Sequence, residues 1–191
     1  MKIDELMPVY DVTATYSMRV AAPPAPVWQE VMNADFSQMA VARRLMALRT
    51  LGRKQPPPGD PRTLATMSSR GAGGFFEIAR VPEHEIVLGI IGKFWRPDAP
   101  VLRDWKPEAF STISPQGYAK AAWNFHLMPD GDHTIVSTET RVLCYGRNER
   151  ILFRCYWTVI GFFSGLIRKE MLQMVKGNSE QLSASKRSNN A

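Results

Sequence analysis

Glu170 is the side chain in this sequence whose type and placement most suggest chemistry. Counted at about 100° per residue along a helical pattern, it projects on the line of Leu152, Val159 and Phe163. A carboxylate on an apolar line needs a partner, a raised pKa or contact with water. Facing an interior, it would act as a general acid or base, with Tyr118 or Tyr156 as proton donors. Where the helix has cleared the rest of the fold, it is simply wet, or paired with a nearby Lys or Arg. A second charged pair, Glu139 and Arg141, alternates with Thr138, Thr140 and Val142. If the threonines face inward, the pair lies on the outer face, bonded to each other or to Lys120. The opposite register buries a Glu–Arg pair inside.

Other chemistries find no support. His84, His126 and His133 have no metal-binding spacing, so no metal is expected. Gly71-Ala72-Gly73-Gly74 is not followed by the Gly-Lys-Ser/Thr of a phosphate loop, and no serine sits in a G-x-S-x-G setting. Cys144 and Cys155 have no evident base; one disulfide between them is the alternative, and two buried, reduced thiols are the reading favoured. No cofactor is expected. The net charge of +6 is carried entirely by residues 43–70, where Arg43, Arg44, Arg49, Arg53, Lys54, Arg62 and Arg70 face only Asp60. Such a segment suits an anionic membrane surface or an acidic ligand. No aromatic residues interleave with it, which argues against nucleic acid as a partner.

The elements that must position these groups follow from periodicity. Residues 10–20 alternate as a strand, with Tyr10, Val12, Ala14, Tyr16, Met18 and Val20 on one face. Pro26 suits the first turn of a short helix at 27–32, and Asp35 caps a second helix at 36–48. Strands are predicted at 62–69, 74–81, 85–95, 117–128 and 133–145, with Pro129-Asp130-Gly131-Asp132 as a strong turn. Residues 97–115 form a long irregular excursion. From 149 to about 182 one long helix carries an apolar stripe of Leu152, Tyr156, Val159, Phe163, Leu166 and Ile167. Arg154, Thr158, Gly165, Lys169 and Lys176 lie opposite. The uncharged run 155–167 is too short to span a membrane, and Gly161 and Gly165 mark close packing or a bend. Residues 183–191 read as a disordered polar tail.

At 191 residues the chain reads as one domain over 1–182. Its fold class is α+β, a curved antiparallel sheet wrapped around the C-terminal helix. A sheet gripping a long helix encloses an apolar hollow. The N-terminus lacks an apolar signal region, so a cytoplasmic protein is expected.

This order resembles the helix-grip superfamily of polyketide cyclases, START domains and pollen allergens (SRPBCC). The resemblance covers about residues 8–182. Val20-Ala21-Ala22-Pro23-Pro24-Ala25-Pro26-Val27-Trp28 looks like its first-strand exit. Leu88-Gly89-Ile90-Ile91-Gly92-Lys93-Phe94-Trp95, Ser137-Thr138-Glu139-Thr140-Arg141-Val142 and the stretch from Tyr156-Trp157 to Ile167-Arg168 are similar to a bacterial branch of it. The resemblance implies a cavity for an apolar or amphipathic small molecule such as a lipid, quinone or polyketide-like compound. The candidate lining is Phe94, Trp95, Trp123 and Phe125 from the strands and Tyr156, Val159, Phe163 and Ile167 from the helix. Thr138, Thr140 or Glu170 would anchor a polar group. Two alternatives stand beside a binding protein: a cyclase or dehydratase-like enzyme using Glu170, and a regulator acting through residues 43–70.

Overall fold

The computed structural model describes residues 1–33, 35, 39, 63, 64 and 74–189, with side chains described up to 185. Apart from residues 39, 63 and 64, the expected helix at 36–48, the strand at 62–69 and the basic segment 43–70 lie outside the described residues.

The described elements are α1 (Lys2–Leu6), β1 (Val12–Val20), α2 (Pro24–Asn33), β2 (Phe76–Val81), β3 (Glu85–Gly92), β4 (Ala119–Asp130), β5 (His133–Cys144) and α3 (Arg147–Asn189). The strands form one antiparallel sheet in the order β1-β5-β4-β3-β2. This is the expected α+β helix-grip arrangement: an open sheet with a long C-terminal helix on its inner face. β1 alternates between exposed and more buried residues along its length, as its sequence predicts. The β4–β5 hairpin turns at Gly131, whose φ of 59° is a conformation that favours glycine.

β3 is buried along its whole length, on both faces. Helix α1, which the sequence pattern does not reveal, and the 93–118 excursion cover the outer face. Ile3, Met7, Trp105 and Phe110 pack there on Val87, Ile91 and Ala122. A polar network ties α1 down. Glu85 accepts hydrogen bonds from the Lys2 and Ile3 backbone N–H groups at 2.5 and 3.4 Å, occupying the positive end of the helix. At the other end Arg141 Nη1 donates to the Met7 and Ile3 carbonyls at 3.1 and 3.4 Å. Its Nε donates to Glu139 Oε1 at 2.7 Å and its Nη2 to Asp4 Oδ1 at 2.5 Å. Glu139 and Arg141 therefore lie on the outer face and bond to each other. They are buried under α1 rather than solvated. Lys120 instead donates to the Phe110 carbonyl at 2.9 Å.

Helix α3 has 43 residues, about 64 Å of helix. It lies mainly along β1, with further contact to α2 and β5. Arg150 Nε holds its start to Asp11 Oδ1 at 2.7 Å, and Lys176 Nζ reaches the Arg19 carbonyl at 3.0 Å. The rotation of the helix differs from expectation. Leu152, Val159 and Leu166 are exposed, and Tyr156, Phe163 and Ile167 are half-buried. The contact face instead runs through Phe153, Gly165, Arg168, Leu172, Val175 and Ser179. Gly165, expected on the outer side, sets this rotation. A Cβ there would lie 3.0 Å from Tyr16 Cζ and closer still to its hydroxyl. Apolar weight alone misplaces the face, because glycine contributes none yet permits close contact with Tyr16. The helix also continues through Asn189, past the 182 where it was expected to end and into the stretch from 183 expected as a polar tail. No Gly or Pro from 178 onward stops it.

Two measurements check this packing. A Cβ added at Gly177 would meet nothing within 4 Å, so this position should accept alanine and gain up to about 1 kcal/mol of helix propensity. Gly165→Ala should instead lose about 1–3 kcal/mol through overpacking on Tyr16. Urea titration of both variants decides it. On the outer face, the hydrogen bond from Arg141, followed by that from the N-terminus, holds the Asp4 carboxyl below its usual range. Its stabilisation is present above the ordinary carboxylate pKa and is lost as pH falls through the lower folded value. Acidification should therefore loosen α1, read as increased amide exchange at 3–7. Asp4→Asn should flatten that pH dependence, and Arg141→Met should cost about 3–5 kcal/mol by leaving Glu139 buried without its cation.

Candidate functional site

Strand register brings five predicted or neighbouring side chains to the inner face. Tyr16 on β1 pairs in register with Thr138 on β5, and Thr138 pairs with Phe125 on β4. Thr140 pairs with Trp123 in the same ladder. Helix α3 then lowers Arg168 onto this patch. Arg168 Nη1 donates to Thr138 Oγ1 at 3.1 Å, and Nη2 donates to Thr140 Oγ1. Thr138 is fully used: its hydroxyl donates to the Asn124 carbonyl at 2.8 Å and also accepts from Trp123 Nε1 at 2.8 Å. The Arg168 guanidinium lies 5.5 Å from the Trp123 ring centroid, a cation–π contact.

Arg168 is nevertheless left with capacity. It is 9% exposed, and a guanidinium carries five N–H donors. Its buried Nε has no hydrogen-bond partner. Among the described residues, no carboxylate forms an ion pair with it. Burial pushes its pKa down to about 10, with Tyr16 opposing weakly. A drop of that size corresponds to about 3 kcal/mol of unfavourable charge burial. Arg141, across the same sheet, is the contrast. Burial pulls it down too, but the hydrogen bonds to Glu139 and Asp4 outweigh that and raise it overall. One buried arginine is neutralised and the other is not.

The structure divides the predicted site residues into groups. Trp123, Phe125, Thr138, Thr140 and Ile167 gather around Arg168 or the core beside it. Phe94, Trp95 and Tyr156 gather elsewhere, around Phe153, with ring centroids 6.4, 6.4 and 5.9 Å from it. Phe163 is half-buried against Phe162, 5.6 Å between centroids. Val159 is 60% exposed and turns away from the sheet, because the helix is rotated by its glycine face. Glu170 is half-buried. Its reference line through Leu152 and Val159 proves to be the exposed side, so that line no longer places it in the interior. Tyr118 packs in the outer-face cluster, with Lys93 Nζ 4.6 Å from its ring, and so is not near Arg168. Cys144 is buried, which pushes its thiol up to about 12, but Cys155 is exposed, against expectation. A shallow hollow of about 290 Å³ lies between Lys2, His84, Glu85 and His126 on the other side of the sheet, where Glu85 is already engaged by α1.

Sequence reasoning passed over Arg168 and Tyr16. In the sequence Arg168 stands just past the uncharged run 155–167 and at the end of a stretch of family resemblance, with no site role assigned to it. The usable signal was its place on the face of Gly161, Gly165, Leu172 and Val175, where small residues permit a close approach to the sheet.

The chain matches no protein-family model and no curated protein sequence. Solved structures similar to it include a conserved protein of Geobacillus kaustophilus, with a TM-score of 0.44 and 10% identity over 89% of this chain and 96% of that one. The Zhui aromatase/cyclase of Streptomyces sp. R1128 has a TM-score of 0.32 and 12% identity over 89% and 94%. CalU16 of Micromonospora echinospora has a TM-score of 0.32 and 15% identity over 90% and 86%. These likenesses concern the fold and leave the chemistry to the residues described above.

The charge at Arg168 has a measurable consequence for the ligand-free protein. Its cost is present below about pH 10 and is relieved as the pH rises through that value, because the folded state releases the proton first. Arg168→Met should raise stability at pH 7 by about 1–3 kcal/mol. The gain should shrink above pH 10. Denaturant midpoints of both proteins across that range provide the check, and a variant less stable than the parent at pH 7 would count against an uncompensated charge.

Proposed function

We propose that the protein binds an amphipathic small molecule in the grip between the sheet and α3. The apolar body rests against Trp123, Phe125 and Ile167, and an anionic end meets Arg168. The observation that carries this reading is the buried Arg168 with an unpartnered Nε. A carboxylate, phosphate or phenolate oxygen arriving there would form charge-assisted hydrogen bonds with a donor that has already lost its water. The charge cost of burying Arg168 would then be returned on binding. Aromatic lining with a few convergent polar groups is the usual make-up of a small-molecule site. The anionic end narrows the expected ligands toward fatty-acid-like or phenolic compounds and away from neutral quinones.

The same donors would stabilise an enolate, which is what a cyclase-type reaction needs. That second reading requires a general base beside the reacting carbon as well as Arg168. Binding requires Arg168 alone and is therefore the reading preferred.

Two dyes separate the contributions. Anilinonaphthalenesulfonate is apolar and anionic, and Nile red is apolar and neutral. Both should bind the full chain saturably. Arg168→Met should weaken the sulfonate dye about tenfold or more, the loss of one charge-assisted contact. It should leave Nile red nearly unchanged. Equal effects on both dyes, or no saturable binding of either, would sink the proposal.

A further inference from the structure

The first half of α3 is apolar on two sides. One side holds Phe153 and Gly165 against the rest of the fold. The other carries Ile151 at 53% exposure, Leu152 at 50%, Val159 at 60%, Phe162 at 69% and Leu166 at 38%, with exposed Cys155 between them. At about 100° per residue these six fall within one sector of roughly 100°. They run along about 23 Å of helix. Isolated exposed apolar residues are ordinary; these six are aligned on one face of the helix rather than scattered. By length and composition this helix is apolar enough to cross a membrane. Its inward side is committed to β1 and α2, so it can offer a bilayer only its outward side.

We propose that this face of α3 docks on an anionic lipid surface, lying in the plane of the interface. The charges that border it decide the partner. Arg147 and Arg154 are exposed on one flank and Lys169 is exposed at the far end; of the acidic residues, Glu170, at the row's other edge on the line of Leu152, and Glu149 are both half-buried. An apolar row edged by exposed cations fits a bilayer carrying negative headgroups. It fits a second copy of the chain poorly. A two-fold pairing would set these cations against one another. The row also offers a footprint of only about 230 Å², taking a helix as about 10 Å wide, against the roughly 800 Å² per partner of a stable dimer. This inference does not depend on Arg168, which faces the other way.

The test uses the full chain and sedimentation with vesicles. Phosphatidylcholine vesicles containing a quarter phosphatidylglycerol should bind the protein, and pure phosphatidylcholine vesicles should bind it far less. Binding should fall as salt rises. The double variant Val159→Ser with Phe162→Ser should lose about tenfold or more in affinity while its melting temperature stays within a few degrees, since both side chains are solvent-exposed. Arg154→Glu with Lys169→Glu should weaken binding as well, and should abolish the preference for anionic vesicles. Binding that Val159→Ser with Phe162→Ser leaves unchanged would trace the affinity to another part of the chain and overturn the proposal. So would absence of binding, equal binding to both vesicles, or a dimer that the same double variant dissolves.

Discussion

The close contact between α3 at Gly165 and the Tyr16 side chain of β1 constrains much of what the rest of the molecule can do. A helix has one rotational setting against a packed surface, and the residue that permits closest approach selects it. With Gly165 facing inward, Arg168 three residues later must also face the sheet. The row from Ile151 to Leu166 must then face solvent. One steric fact thus creates both a buried cation and a bare apolar face. Neither would follow from a helix rotated to bury its apolar residues in the greatest number.

The two buried arginines show why placement alone does not define a site. Arg141 and Arg168 sit on opposite faces of one sheet, and both are nearly inaccessible. Arg141 is surrounded by a carboxylate, a second half-exposed carboxylate and two helix-terminal carbonyls. Its charge is spent on attaching α1. Arg168 meets two hydroxyls and a ring. Hydroxyls accept hydrogen bonds but do not cancel a charge, so the desolvation cost stands. A protein retains such a cost where stability and function trade against each other, and a ligand-binding group is the familiar case.

Much of the sheet was legible in advance. The period-two pattern in β1, β4 and β5 and the turn at Asp130-Gly131-Asp132 determine register, and register alone brings Trp123, Phe125, Thr138 and Thr140 to one face. What escaped the pattern did so for physical reasons. Helix α1 is five residues long, too short to show a period, and it is held by Glu85 and Arg141 from distant strands. The apolar residues of α3 point to two sides, so their vector sum lies between the core and solvent and matches neither. Arg154 and Arg168 look alike in sequence as brackets of an uncharged run, yet one is exposed and the other buried. Burial of a polar group depends on partners that only the fold assembles.

The two faces of the sheet are also linked, and the link runs through Asn124. Its side chain spans the outer network, donating to Glu85 Oε1 at 2.7 Å and accepting from the Glu139 backbone N–H at 2.8 Å. Its carbonyl accepts the Thr138 hydroxyl on the inner face at 2.8 Å. That bond directs the proton of Thr138 into the backbone and leaves both lone pairs for Trp123 and Arg168. The threonine can then act only as an acceptor toward the guanidinium, which fixes where the fork of donors points. Residues that fasten α1 to the back of the sheet thereby also hold the orientation of the binding group at its front. A site of this kind gains its precision from rigid strands and satisfied supporting bonds rather than from loops.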